Sequence, residues 1–297
     1  MRVGVSALFR NNENYIDYFA QLFERVENMY RGTITFSYYL YENNSNDATK
    51  EKLLHFMKGR TGAFYSENIA DPTPIMTGVS DHRGAHMAQL RNHLKRLHGD
   101  LHDDFTLCID SDVLFHESTI RKMLKHFIRS ERKATTTTAM ATPVGICWVD
   151  QATQKQQQLT PEQRTYHYYD SLAFIADDGT SFRHTGNTCL FEACRRCIAL
   201  RKSMHLSHID HKLLPMRGNV IPVRAAFGGM CMLPTPIYNQ VTWGNTVCEH
   251  HSFCERVRKH GRIVCDTGVP VVVTCSPRTT PEDYSEMQLF INKMSNN

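Results

Sequence analysis

The chain has 297 residues, of which 41% are hydrophobic and 22% are charged, close to the averages of globular proteins. This composition excludes a collagen-like rod and a largely disordered chain. The 34 Lys and Arg exceed the 30 Asp and Glu by a formal net charge of only +4. We therefore expect no nucleic-acid partner, because proteins that bind nucleic acids carry a marked excess of basic residues.

No apolar run approaches the length of about 18 residues that a membrane-spanning helix needs. The longest candidate, Val269 to Val273, has the length of a strand, and the N-terminal residues lack the pattern of a signal peptide. The ten cysteines are mostly scattered through strand-like segments, where a reduced thiol packs as a small hydrophobic group. These features predict a cytoplasmic chain without an integral membrane segment.

The first half of the chain alternates strand and helix patterns. Short apolar or β-branched runs predict strands at residues 3–8, 33–41, 62–65 and 105–109. Apolar residues spaced by three and four predict helices at residues 16–30, 53–57, 81–98 and 120–128, with Asn11 and Asn12 as candidate caps of the first. Such alternation predicts a mostly parallel sheet flanked by helices, with a crevice at the carboxyl ends of its strands.

The second half is less regular. Its predicted elements are a strand at 134–144, a Gln-rich loop at 151–163, an aromatic segment at 166–173, a helix at 192–214, a strand at 220–227, a helix at 248–260 and a strand at 262–265. No internal repeat and no flexible linker interrupts the sequence. We therefore predict one domain over residues 1–297.

An acidic pair, Asp110 and Asp112, follows the buried-looking strand at 105–109. Residues i and i+2 of a strand project to one face, so both carboxylates are expected to reach the crevice. Such hard oxygen ligands suit Mg²⁺ or Mn²⁺, which complete their coordination with water and substrate phosphate. The alternative is a pair of acids in a turn or a helix cap.

A second constellation resembles a zinc site only superficially. Cys194 and Cys197 precede His205, His208 and His211. The two cysteines lie at i and i+3 of a predicted helix, and no tight turn brings the histidines to them. Packing as hydrophobic groups is the preferred interpretation of these cysteines.

Several short motifs follow one another in a recognisable order. They are Leu8-Phe9-Arg10-Asn11, Tyr41 to Asp47, Arg83 with Arg91-Asn92, Ile109 to Asp112, Tyr169-Asp170-Ser171, Asp177-Asp178-Gly179, Phe227-Gly228-Gly229 and Cys248-Glu249-His250. In this order and spacing the chain resembles the nucleotide-sugar glycosyltransferases of the A-type (GT-A) fold, and most of all the capsule-associated α-1,3-mannosyltransferase family. The resemblance implies an α/β Rossmann-like domain with a mostly parallel central sheet, flanking helices and a smaller acceptor-side sheet region.

The resemblance also implies a nucleotide-sugar-binding half, residues 1–115, and an acceptor-binding and catalytic half, residues 116–297. The residues implied to bind the donor are Phe9, Arg10, Glu42, Arg83, Arg91, Asp110 and Ser111. Arginine forks suit diphosphate oxygens. The alternatives are a solvated helix face for Arg91 and a partnership with Asp81 or Glu67 for Arg83.

Acceptor contacts are expected from Tyr169, Gly228, Gly229 and His250. Packing in the core is the alternative for Tyr169, and a bulge is the alternative for the glycines. His250 or His251 is a candidate third metal ligand, although a surface or capping role is favoured for them.

The predicted catalytic residues are Asp112, Glu249 and Asp170. In sugar-inverting relatives an acid at the position of Glu249 resembles the general base that deprotonates the acceptor. In a retaining enzyme Glu249 or Asp170 would instead stabilise an oxocarbenium-like transition state. The alternative for Glu249 is an N-terminal charge that complements the helix dipole.

The sequence thus predicts a hexosyltransferase that uses Mn²⁺ or Mg²⁺ to move a mannose-like hexose from a GDP- or UDP-linked donor to a glycan or glycoprotein hydroxyl, with retention. The alternatives are an inverting enzyme with Glu249 as base, a sugar nucleotidyltransferase and an inactive sugar-binding module. A nucleotidyltransferase would need a Gly-rich phosphate loop near Arg10, where the chain offers none.

Overall fold

The computed structural model describes residues 1–70, 81–132, 137–148, 167–169, 173–179, 218–244, 248–274 and 280–296. Its strands are β1 (Arg2–Phe9), β2 (Thr35–Asn43), β3 (Thr61–Glu67), β4 (Phe105–Asp110), β5 (Val113–Phe115), β6 (Thr138–Trp148), β7 (His167–Tyr168), β8 (Ile175–Ala176), β9 (Val220–Ala225), β10 (Met230–Pro234) and β11 (Arg262–Thr274). Its helices are α1 (Glu13–Met29), α2 (Thr49–Met57), α3 (Asp81–His98), α4 (Thr119–Arg132), α5 (Thr235–Gln240), α6 (Glu249–Val257) and α7 (Pro281–Asn296).

The chain divides into two compact units. The first unit contains Met1–Asp112 and Met230–Gly261, and the second contains Val113–Gly229 and Arg262–Asn297. The first unit therefore includes Glu249 and His250 from the half predicted to bind the acceptor. The single domain and the roles of its two halves stay predictions.

Five strands of the sheet belong to the first unit and lie in the order β3-β2-β1-β4-β10. Strands β1 to β4 pair in parallel, and β10 pairs with β4 in the antiparallel sense. Tyr38 on β2 packs edge-on against Phe56 of α2 at 5.0 Å, whereas Tyr41 packs with Leu90 and Leu94 of α3. Since residues three apart on a strand point to opposite faces, helices cover both faces of this sheet.

The strands of the second unit are arranged around β11 in mixed directions. Strand β6 runs parallel to β11 along nearly its whole length, while β9 and β5 pair with β11 in the antiparallel sense. The apolar run from Val269 to Val273 belongs to this strand and is buried. A register shift between Asp266 and Pro270 lies within the pairing with β6.

The predicted α/β class is confirmed, and each element predicted in the first half is found within a few residues of its expected bounds. Strands β5, β7, β8 and β10 and helices α5 and α7 were not predicted. The predicted helix at 192–214, the loop at 151–163 and the cysteines and histidines of the superficial zinc constellation lie outside the described residues. Among the described residues, no helix combines the length and apolarity needed to cross a membrane.

Candidate functional site

The acidic pair lies where β4 ends. Asp110 is the last residue of β4, and Ser111 and Asp112 form a turn that leads into β5. The expectation that both aspartates project from one strand face is therefore wrong, because the strand ends before Asp112. The two carboxyl groups still interact: desolvation and then the charge of Asp110 raise the pKa of Asp112 to about 7, while a backbone hydrogen bond and Arg83 act in the opposite direction.

Arg91 on α3 bridges two carboxylates of the first unit. Its Nη2 donates to Asp110 Oδ1 at 2.8 Å, and its Nε lies 3.6 Å from Glu249 Oε1. The residue is only 6% exposed, so the alternative of a solvated helix face is wrong. Burial lowers the pKa of Arg91, but the charges of Asp110 and Glu249 outweigh burial and raise it above the usual value. Arg83, in contrast, is exposed.

Glu249 and His250 begin helix α6, and both are buried. His250 Nε2 lies 3.3 Å from Glu249 Oε1. Desolvation and the positive charge of Arg91 lower the pKa of His250 well below its usual value, although Asp110 acts the other way. The imidazole of His250 is therefore neutral at neutral pH. The next residue, His251, is partly exposed.

Helix α3 also holds the segment before α6, through a residue to which the sequence assigned no role. Asn92 Nδ2 donates to the Trp243 carbonyl at 2.8 Å, and the Trp243 amide donates to Asn92 Oδ1 at 3.0 Å. The Trp243 ring stacks on Phe253 of α6 at 4.2 Å, and the Arg91 guanidinium lies 5.9 Å from its centre. Trp243 is one of two tryptophans in the chain, and its place just before the Cys248-Glu249-His250 motif is the signal that could have identified it.

Two loops at the carboxyl ends of β1 and β2 interlock. The first loop (residues 10–12) and the second loop (residues 44–48) are joined because Asn11 N donates to Ser45 Oγ at 3.0 Å and Asn46 N donates to Asn11 Oδ1 at 2.9 Å. Asn12 occupies the cap position of α1, but its side chain does not cap the helix. Its Oδ1 instead accepts hydrogen bonds from Arg10 N at 2.8 Å and from Ser111 Oγ at 3.2 Å.

Glu42 and Phe9, both predicted to contact the nucleotide, are buried. Glu42 is 3% exposed, and its two carboxylate oxygens each accept a 2.7 Å hydrogen bond, from Ser45 N and from Ser66 Oγ. Phe9 is 2% exposed and meets Phe19 edge-on at 5.4 Å. The structure thus gives both residues internal partners, and their contacts with a nucleotide stay predictions.

The residues predicted on the acceptor side belong to the second unit, apart from His250. The Tyr169 amide donates to the Gly145 carbonyl at 2.8 Å, and its side chain is partly exposed. Gly228 has a φ of +64°, and a Cβ on it would lie 2.8 Å from the Pro143 carbonyl oxygen. A Cβ on Gly229 would crowd two valine side chains at 2.8 Å. Contacts within their own unit thus explain why glycines occupy these two positions, and their contact with an acceptor stays a prediction. Asp170 lies outside the described residues.

A divalent cation fits the donor set of the first unit. Asp110 and Asp112 supply hard carboxylate oxygens that repel each other in a desolvated setting, which is the arrangement that Mg²⁺ and Mn²⁺ neutralise. The described parts of the chain contain no group of three or more His, Cys, Asp or Glu side chains arranged to hold a metal ion. Neither His250 nor His251 therefore joins the two aspartates in a three-ligand site, and water and phosphate oxygens would complete the shell.

The fold is that of the GT-A glycosyltransferases. Its likeness to the crystal structure of S. aureus TarS has a TM-score of 0.50 at 13% identity and covers 98% of this chain but only 39% of that chain. TarS residues 1–349 in complex with UDP-GlcNAc gives a TM-score of 0.49 at 14% identity, over 99% of this chain and 66% of that chain. The mannosyltransferase PcManGT from Pyrobaculum calidifontis, in complex with GDP-Man and Mn²⁺, gives 0.46 at 9% identity, over 93% and 58%.

The assignment of the fold rests on the first of these structures. No family model matches the chain, and no match is found among curated proteins.

Proposed function

We propose that the chain is a metal-dependent glycosyltransferase that transfers a mannose-like hexose from a GDP- or UDP-linked donor to a hydroxyl of a glycan or glycoprotein. The observation that carries this proposal is the carboxylate pair Asp110 and Asp112 at the end of a parallel strand in a GT-A fold. In open α/β sheets, ligands bind at the carboxyl ends of the strands, which is where this pair lies. Asp112 and Asp110 would hold Mn²⁺ or Mg²⁺.

A cation bound there supplies the positive charge that a departing nucleoside diphosphate needs. The chain's own residues supply the remaining interactions. The partly exposed Arg10 and the exposed Arg83 belong to the same unit as the aspartates and would contact the diphosphate of the donor. The interlocked loops after β1 and β2 keep the backbone beside Arg10 in one conformation.

We also propose that transfer proceeds with retention. Oε1 of Glu249 is engaged by both Arg91 at 3.6 Å and His250 at 3.3 Å. The positive charge of Arg91 beside this oxygen disfavours transfer of a proton to Glu249, and we assign to its carboxylate the electrostatic support of positive charge on the sugar ring. The inverting alternative, with Glu249 as base, predicts a product of opposite anomeric configuration, which proton NMR of the product distinguishes.

The test measures transfer or hydrolysis of GDP- and UDP-sugars in the presence of Mn²⁺ and, for comparison, in the presence of a chelator. We expect activity with the metal, loss of activity in the chelator, and a loss of about a hundredfold or more in the Asp112→Asn variant. Asp100→Asn is the matched control, because Asp100 is an exposed residue just after α3. Undiminished activity in the chelator, or equal activity of the two variants, would overturn the proposal.

A further inference from the structure

The buried guanidinium of Arg91 lies between two carboxylates that come from distant parts of the chain. Asp110 ends β4 and Glu249 begins α6, while Arg91 lies on α3. The Arg91 side chain is 6% exposed, Glu249 is 12% exposed and Asp110 is 22% exposed. A charge so little exposed needs charged partners, and Asp110 and Glu249 provide them.

The planar fork of an arginine presents donors in fixed directions from separate nitrogen atoms, whereas a lysine presents a single flexible ammonium group. Nη2 of Arg91 is committed to Asp110 at 2.8 Å, and Nε faces Glu249 at 3.6 Å. The two carboxylates therefore take their separation from one rigid, planar group. The neighbouring Asn92 ties α3 to the chain segment before α6 at a second point, because it bonds both main-chain polar groups of Trp243.

We infer that Arg91 is a positioning residue that sets Glu249 relative to Asp110, and that it does not bind the donor diphosphate. The inference rests on the proposed glycosyltransferase function, in which Asp110 contributes to the metal site and Glu249 supports the reacting sugar. It replaces the phosphate contact that the sequence assigned to Arg91. The phosphate contacts then fall to Arg10 and Arg83, which have more exposed side chains.

The first experiment measures the coupling between Arg91 and Glu249 without any ligand. Urea unfolding is followed for the unmodified chain, Arg91→Lys, Glu249→Gln and the double variant. Lysine keeps the charge but lacks the planar fork whose Nη2 and Nε face the two carboxylates. Arg91→Lys therefore alters the geometry without leaving the unpaired buried acids that Arg91→Met would leave. We expect the combined effect on the unfolding equilibrium constant to depart from the product of the single effects by about fivefold or more. Independent effects would overturn the inference.

The second experiment separates positioning from donor binding. Arg91→Lys is expected to lower kcat by about tenfold to a hundredfold, with KM for the nucleotide sugar changed by less than about twofold. Arg96→Lys is the matched control, because Arg96 is exposed on the same helix. A rise in KM with kcat retained would show that Arg91 contacts the donor, and kinetics equal to those of Arg96→Lys would show that it serves the fold alone. Either result overturns the inference.

The two proposals fail in different ways. If the unmodified chain transfers no sugar but the unfolding cycle shows the coupling, the proposed function is refuted and the catalytic role of the bridge falls with it. If the chain is active and the unfolding effects are independent, the inference about Arg91 alone is refuted.

Discussion

Replacing Glu42 should reveal how strongly the loop after β2 is anchored from within. Glu42 is 3% exposed, and its carboxylate accepts a 2.7 Å hydrogen bond from Ser45 N and another from Ser66 Oγ. Ser45 Oγ in turn accepts from Asn11 N at 3.0 Å. Glu42 thus supports both interlocked loops, the first of which lies beside Arg10.

The magnitude follows from these contacts. In Glu42→Ala both donors lose their acceptor in a partly buried setting, and each costs about 1 to 3 kcal/mol. We expect a total loss of about 3 to 5 kcal/mol in the free energy of unfolding, which includes the small cavity. Glu42→Gln keeps the shape and one acceptor oxygen, so about 1.5 to 3 kcal/mol is expected. Ser66→Ala removes one donor and should cost about 1 kcal/mol.

Urea unfolding of the three variants tests this order, and a free energy for Glu42→Gln within about 0.5 kcal/mol of the unmodified chain would refute the reasoning. Nucleotide affinity in the presence of Mn²⁺ then separates anchoring from direct contact. If Glu42 acts only as an anchor, Ser66→Ala and Glu42→Gln should shift the affinity in the same direction. A contact with the ribose predicts an effect of Glu42→Gln alone.

Three further predictions concern stability. Gly228→Ala should cost about 1 to 3 kcal/mol more than Gly32→Ala in urea unfolding. Both glycines have positive φ, but of these two only Gly228 would bring a Cβ within 2.8 Å of a backbone oxygen. Equal costs would contradict this reasoning. Desolvation lowers the pKa of His98 in the folded chain. As the pH falls below about 6.5, the unfolded chain therefore takes up a proton at this residue before the folded chain does, which lowers the free energy of unfolding. This loss in acid should be smaller in His98→Gln. Asn92→Ala should cost about 2 kcal/mol in thermal or urea unfolding, because it removes two hydrogen bonds to the main chain before α6, and a loss under about 0.5 kcal/mol would speak against that link.

Local sequence patterns were sufficient to predict a helix or strand where the element shows one clear periodicity. Helix α3 was predicted at its observed bounds because its apolar residues repeat at three and four positions and build one buried face against β2. Strand β10 was missed because it is buried on both faces, so its apolar residues do not alternate, and it contains methionine, cysteine and proline in place of β-branched residues. Helix α7 carries a helical pattern that the sequence analysis overlooked, because Tyr284, Met287 and Ile291 are spaced by three and four and are buried.

The role of Arg91 could not be predicted from local patterns at all. The sequence identified Asp110, Glu249 and Arg91 separately, yet the contacts among them join three elements brought together by the fold. A fork suited to phosphate is equally suited to carboxylates, and only the fold decides which of them it meets. The structure provides that decision through burial, since a side chain 6% exposed is enclosed by its protein partners.

Under the proposed function, the charges of the first unit explain how a chain with a small net charge would hold a diphosphate. Arg91 faces Asp110 and Glu249, and Asp112 adds a third carboxyl group, whereas the neutral His250 adds no positive charge. A single buried cation therefore leaves this group of acids with a deficit of positive charge. A divalent ion would supply it and would at the same time present positive charge to the phosphates. Recognition of the donor then requires a bound metal and a few exposed arginines, and it does not require the broad basic surface that the net charge of +4 argues against.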